Sequence, residues 1–277
     1  MTRAPTIRSV DASSRKDRNR RWTATRTARV TALIAALVIY GNAKSWWDLV
    51  VLQTSAAGST FGIGAGIALV LAILAGALVV RTDFAGLGLA GGSVRSSLRM
   101  GMWIGGTAAL ASGALILLGS LAGRSLGLRI ADVTPAATTP WGPLLWRAVL
   151  LIWVDTVLPE ELGFRGALLL ALDGQQATTT AVDDTSYRCT WVQVVRAGVR
   201  PAVLVSSLAF AAWHVVVVIQ DGAQDVATVI GKLATIAIGG MFFGGLRVTS
   251  GNLVAPVVGH WLFDMVAVVA ARLAAAL

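Results

Sequence analysis

The chain has little charge for its length. Of its 277 residues, 13% are Asp, Glu, Lys or Arg, whereas an ordinary soluble domain carries about 25%. Hydrophobic residues make up 56% of the sequence, and the mean hydropathy is +0.73. Apolar runs close to the ~20 residues that a bilayer requires recur along the whole length. The composition therefore excludes an ordinary soluble domain and predicts an all-α, polytopic transmembrane bundle of about seven helices.

Cysteine and histidine are nearly absent. Cys189 is the single cysteine, which excludes an intrachain disulfide and a cysteine-based metal cluster. The only two histidines, His214 and His260, both lie within apolar segments. In a chain this poor in histidine, that placement points to a role in a buried polar site.

The formal net charge of +9 comes mainly from residues 1–29. In a soluble protein such a charge would suggest nucleic acid, but beside membrane spans it favours contact with anionic lipid. We therefore expect no nucleic-acid partner. Residues 1–29 are predicted to form a basic, disordered cytoplasmic tail, and residues 30–277 the bundle. A signal peptide is the competing interpretation, but the further spans favour an uncleaved first anchor.

Seven apolar segments predict spans, at about 30–52, 60–80, 100–122, 144–170, 201–220, 227–246 and 253–275. The distribution of Lys and Arg predicts a cytoplasmic N-terminus in a multi-pass membrane protein. We expect the membrane to be the plasma membrane of a prokaryote. The first segment is the weakest because Asn42, Lys44 and Asp48 interrupt it. If it only lies on the membrane surface, this topology changes.

Three charged residues stand together in the apolar run from Leu144 to Leu172. On a helix, Glu161 and Arg165 share a face at i,i+4 and can form an ion pair. Glu160 is rotated by about 100° from Glu161, which leaves it without a local partner. An isolated intramembrane carboxylate usually marks a pathway or a site, so Glu160 is the leading candidate for chemistry. Pro159 predicts a kink at the same place.

Two further helix faces carry ionisable groups. Phe210 and His214 stand at i,i+4, and so do His260 and Asp264. A lone histidine such as His214 is also typical of packing, whereas a carboxylate one turn from His260 can fix the ring's tautomer. Three spans that each bring ionisable groups into hydrocarbon are expected to compensate one another.

The three motifs, Glu160-Glu161-x-x-x-Arg165, Phe210-x-x-x-His214 and His260-x-x-x-Asp264, resemble in this order the CPBP family of intramembrane proteases. That family comprises CAAX prenyl proteases and bacterial abortive-infection and bacteriocin-processing homologues. The resemblance covers a predicted protease core at about 144–275. Many members have Asn where this chain has Asp264. An ionised Asp would repel an oxyanion, so Asp264 could serve only if protonated or by orienting His260.

The resemblance implies an intramembrane endopeptidase that acts on membrane-associated proteins or peptides, prenylated CAAX-type substrates among them. It implies that Glu160 is the general base for the attacking water and that His214 assists it. Glu161 and Arg165 would hold the helix in place, and His260 with Asp264 would stabilise the oxyanion or the leaving group.

Metal dependence stays open at this point. Glu160, His214 and His260 are an adequate set of zinc ligands with a fourth position for water, but no His-Glu-x-x-His spacing is present. A metal-free glutamate mechanism is equally consistent with the sequence. A proton-coupled transporter and a non-catalytic membrane scaffold are the alternative functions. The sequence does not indicate an oligomeric state.

Overall fold

The computed structural model describes residues 12–52, 58–79, 84–125, 140–173, 190–220 and 225–276, and side chains over a narrower set of ranges (25–47, 64–76, 86–123, 140–173, 190–220 and 225–276). Within these ranges the regular secondary structure is helical, without strands. The predicted all-α bundle is confirmed. Asp48 and all of residues 174–189, Cys189 among them, lie outside the described side chains.

The first half of the chain contributes four helical runs, one of them a single turn. They consist of α1 (Ala12–Leu52), α2 (Gly58–Val79), the short α3 (Phe84–Leu87), and α4 (Val94–Met100), which a π-helical turn (Gly101–Gly105) joins to α5 (Gly106–Ser125).

The second half begins with one long helix, Trp141–Asp173, which we call the central helix. After it come α6 (Trp191–Gly198), α7 (Pro201–Trp213), α8 (Val215–Gln220), α9 (Val226–Ser250) and α10 (Val254–Ala276).

Four helices are long and apolar enough to cross a membrane: Val94–Gly123, the central helix, α9 and α10. A fifth span results if α6 and α7, which meet at an angle of 77°, are counted as one broken span. These counts concern the described residues. Counted together with α1 and α2, these spans make seven long helical runs, so the predicted number of about seven helices holds approximately.

The basic segment at the start of the chain differs from its prediction. From Ala12 onward it is the beginning of α1 and not a disordered tail. Lys, Arg and Ala are good helix formers, so their abundance is compatible with continuing the first helix outward. Residues 1–11 lie outside the described part of the chain.

The central helix passes through Pro159 as a single span of 33 residues. Its winding is π-helical over Trp153–Val157 and again over Glu161–Leu168. Proline cannot donate the backbone hydrogen bond that an α-helix needs at that position. The disturbance predicted as a kink therefore takes the form of wider winding on both sides of Pro159. Such π segments often occur at functional sites.

Glycines let the span Val94–Gly123 and helix α10 approach backbone to backbone. A Cβ added at Gly105 would lie 2.5 Å from the Cα of Gly259, and one at Gly113 would lie 2.6 Å from Val266. The later glycine of the first helix meets the later residue of α10, so the two helices run in the same direction. Gly259 directly precedes His260, and this contact therefore sets the depth of that histidine in the bundle.

We predict that Gly105→Ala destabilises the protein, because an added methyl group must push two helix backbones apart. Overpacking of this kind costs about 1–3 kcal/mol. Gly119→Ala is the matched control, since a Cβ at Gly119 has nothing within 4 Å. Thermal unfolding in detergent should show a lower midpoint for Gly105→Ala only. Equal midpoints for the two variants would contradict the close helix contact.

Candidate active site

Glu160 lies between the two histidines of the chain. Its Oε1 is 3.5 Å from Nε2 of His214, and its Oε2 is 3.7 Å from Nε2 of His260. The three side chains come from the central helix, the end of α7 and α10. The carboxylate that has no partner in its own helix is thus met from two other helices. The sequence-predicted grouping of Glu160, His214 and His260 is present in the structure.

His214 occupies a break in its helix. Helix α7 ends at Trp213 and α8 begins at Val215, and His214 has φ −96° and ψ 6°. Its ring Nδ1 is 2.8 Å from the carbonyl oxygen of Phe210. Because a carbonyl only accepts hydrogen bonds, Nδ1 carries the hydrogen. The ring is therefore fixed with Nε2 toward Glu160.

His260 is oriented by Glu161. Its Nδ1 lies 2.7 Å from Oε1 of Glu161, and the same oxygen lies 3.1 Å from Nη1 of Arg165. The predicted ion pair of Glu161 and Arg165 is present, and Glu161 has a second role that the sequence did not indicate. Glu161 accepts a hydrogen bond from Nδ1–H of His260. This bond orients the ring with its Nε2 toward Glu160.

Aromatic rings surround the buried guanidinium and imidazole. The Cζ of Arg165 is 4.2 Å from the ring centroid of Phe210, and its Nη2 donates to the carbonyl of Gly240 at 3.4 Å. Phe243 stacks on His260 with centroids 4.5 Å apart. The rings thus place their faces against the guanidinium and the imidazole. These contacts pack Arg165 and His260 inside the bundle.

Asp264 lies at the edge of this group. Its Oδ2 is 3.6 Å from Nε2 of His260, so it faces the reactive side of the ring. The tautomer-fixing contact on Nδ1, which the sequence assigned to Asp264 as one possibility, is made by Glu161 instead. The physical reason is that Nδ1 points across the bundle to the central helix, while the i,i+4 neighbour reaches the outer ring edge.

Among the described side chains, the members of this group differ in how exposed they are. The side chain of His214 is 18% exposed and that of Asp264 is 26% exposed, whereas that of Glu160 is 6% exposed. Glu161 and Arg165 are fully enclosed. His214 and Asp264 therefore form the more exposed edge of the group, and Glu160 lies deeper.

The structure does not arrange these residues as a metal site. In the described part of the chain, no group of three or more His, Cys, Asp or Glu side chains is positioned to hold a metal ion. The set predicted as zinc ligands, Glu160, His214 and His260, thus does not fit a zinc ion as it stands.

Asn42 and Lys44 also belong to the surroundings of the site. Both looked like interruptions of an apolar span, yet Asn42 hydrogen-bonds to the backbone on either side of His214. Lys44 forms an ion pair of 3.0 Å with Asp155, one turn before Pro159. Polar residues in a predicted span were the available signal, but their partners were not deducible from spacing.

Residues 141–266 match the family model described as Type II CAAX prenyl endopeptidase Rce1-like. No match was found among curated proteins or among solved structures. The family match confirms the resemblance to CPBP proteases that the three motifs carry. It spans all six candidate site residues (Glu160, Glu161, Arg165, His214, His260 and Asp264) and ends before the close of α10.

We predict that Arg165→Met destabilises the protein by about 3–5 kcal/mol, because it leaves a buried carboxylate without its cation. Adding Glu161→Gln should recover part of this loss, since the uncompensated charge is then removed. The measurement is the thermal midpoint in detergent, with the exposed Arg99→Met as control. If Arg165→Met behaves like Arg99→Met, the ion pair does not hold the site together.

Proposed function

We propose, from the match to a Rce1-like CAAX endopeptidase over residues 141–266, that this membrane-embedded endopeptidase cleaves membrane-anchored proteins or peptides with a water activated by Glu160. Prenylated CAAX-type proteins are the first substrates to consider. The observation that carries the proposal is that two imidazoles, each fixed at Nδ1, present Nε2 to one buried carboxylate.

Glu160 acts as the general base. It accepts a proton from a water molecule while the water oxygen forms a bond to the scissile carbonyl carbon. A base must lie within hydrogen-bond reach of the proton that it removes, and the edge beside His214 gives a water molecule that access. His214, opposite Oε1, passes the proton on to the departing amine nitrogen as the carbon–nitrogen bond breaks.

His260 stabilises the oxygen of the tetrahedral intermediate. Its Nδ1 is held by Glu161, so a protonated Nε2 can donate to the developing oxyanion. Preorganised donors of this kind contribute much of the rate enhancement in enzymes. Asp264 lies 3.6 Å from the same Nε2 and is compatible with an oxyanion there in its protonated form. Arg165 keeps Glu161 in place.

The protease core in this proposal covers about 144–275, and the bundle of residues 30–277 acts as one unit. The proposed mechanism uses no metal ion. We also propose that the chain is a prokaryotic plasma-membrane protein with its N-terminus in the cytoplasm.

The direct test is a cleavage assay with the purified protein in liposomes. Its substrates are membrane-anchored peptides, and a prenylated CAAX peptide is tried first. Glu160→Gln keeps the shape of the side chain but removes the base, so turnover should fall by about 10²–10⁴-fold with an unchanged thermal midpoint. Glu161 and Arg165 stay intact in this variant, which makes it a test of chemistry and not of folding.

His214→Ala and His260→Ala are run beside it, with and without a chelator. The proposal expects losses in both variants and no effect of the chelator. Undiminished cleavage by Glu160→Gln would show that another group is the base. Loss of wild-type activity with the chelator, restored by added zinc, would contradict the metal-free mechanism. If the protein is a transporter, no cleavage should occur and proton-coupled flux should be lower in Glu160→Gln than in the wild type. If it is a scaffold, neither cleavage nor flux should be seen.

Orientation is tested by single cysteines in a Cys189→Ser background. Ala90 precedes α4 and is exposed, and Gly142 stands at the start of the central helix. Both positions stand at the beginning of consecutive spans, so the proposed topology places them on opposite sides of the membrane. An impermeant maleimide should modify Gly142→Cys in intact cells and leave Ala90→Cys unmodified until the cells are opened. The reverse pattern would invert the proposed topology.

A further inference from the structure

Asn42 of α1 sits in the helix break that contains His214. Its Nδ2 donates to the carbonyl of Ala212 at 2.9 Å, and its Oδ1 accepts from the backbone N–H of Val216 at 2.8 Å. In an uninterrupted α-helix those two groups, four residues apart, would bond to each other. The carboxamide thus replaces one rung of the hydrogen-bond ladder.

This insertion has a structural consequence for the histidine between the two bonded groups. A side chain that enters the i→i−4 ladder is a recognised cause of a helix break. Because Asn42 occupies the two backbone groups, His214 leaves the helical conformation. Its N–H bonds to the carbonyl of Ala211, three residues back, at 3.0 Å. Beyond the break the helix resumes, as Val218 N–H donates to the carbonyl of His214 at 2.9 Å.

The carboxamide is itself held in one orientation. Its second Nδ2 hydrogen is used by the carbonyl of Val38 at 2.8 Å, one turn back in α1. Both partners of Nδ2 are carbonyls and the partner of Oδ1 is an N–H group, so the positions of oxygen and nitrogen are unambiguous. Next to it, a Cβ at Gly41 would lie 2.1 Å from the ring of Trp213. Helix α1 is therefore pressed against the break.

We infer that Asn42 is a positioning residue for His214, which α1 supplies to the site from outside the segment that matches the protease family. It touches neither Glu160 nor a reacting atom. It keeps the break open, and the open break directs Nε2 of His214 to Glu160. The inference rests on the proposed function for its catalytic meaning, while the positioning itself is a property of the fold.

The test uses the two histidines as their own reporters. Full-length protein, purified with a tag that lacks histidine and labelled with ring-¹⁵N histidine, gives signals from His214 and His260 alone. His214→Ala assigns them. Asn42→Ala should shift the ring resonances of His214 and leave Nδ1 of His260, which Glu161 holds, in place. Ser45→Ala is the control on the same helix, because its hydroxyl donates only to Gly41 of α1, and it should shift neither.

Asn42→Asp provides a second variant should Asn42→Ala not fold. It keeps an acceptor for Val216 but loses the donor for Ala212, and His214 should again shift while Nδ1 of His260 stays in place. Unchanged His214 signals in the folded Asn42 variants, or equal shifts of both histidines, would overturn the inference. The second result would indicate a general loosening of the bundle.

Cleavage assays then separate this inference from the proposed function. Asn42→Ala should lower kcat on the order of 10²-fold, as small misplacements of catalytic groups do, with KM little changed. In a His214→Ala background the same substitution should have almost no further effect. Fully additive losses would contradict positioning through His214. Absence of cleavage by the wild-type protein would overturn the proposed function, whereas the histidine signals would still decide the role of Asn42.

Discussion

The site depends on one buried chain of contacts, from Arg165 through Glu161 to His260. A charge in hydrocarbon is costly, and a buried carboxylate is tolerated only with a cation and hydrogen bonds around it. Glu161 receives both, with Arg165 at 3.1 Å and His260 at 2.7 Å on one oxygen. This use of Glu161 leaves its neighbour Glu160 free to face the two Nε2 atoms. In the proposed mechanism, Glu161 therefore stabilises the site and Glu160 carries out the chemistry.

The remainder of the fold fixes the three helices that carry these groups. Gly105 against Gly259 sets the position of His260, and π winding beside Pro159 widens the central helix where its carboxylates stand. Asn42 maintains the break at His214. Each of these features is local and depends on one chemical property of the residue, namely the small size of glycine, the missing N–H of proline or the peptide-like amide of asparagine.

Much of this was predictable from the sequence. Hydropathy indicated the helical bundle, and i,i+4 spacing indicated the pairing of Glu161 with Arg165, because both depend on local periodicity. The convergence of Glu160, His214 and His260 followed from the rarity of charge in apolar runs. Three features were not predictable. The π winding, the contact of Glu161 with His260 and the insertion of Asn42 depend on how separate helices dock, and spacing within one segment carries no information on that. The helical start of α1 was missed because basic composition alone does not distinguish a helix from a disordered tail.

The central claim is that both histidines direct Nε2 to Glu160 while only His260 is held by Glu161. The most direct test is ¹⁵N NMR of the two labelled histidine rings in Glu160→Gln and in Glu161→Gln. The account predicts that Glu160→Gln shifts the Nε2 resonances of both His214 and His260, and that Glu161→Gln shifts the Nδ1 resonance of His260 and not that of His214. If Glu160→Gln leaves either histidine unchanged, the two rings do not share that carboxylate and the account is contradicted.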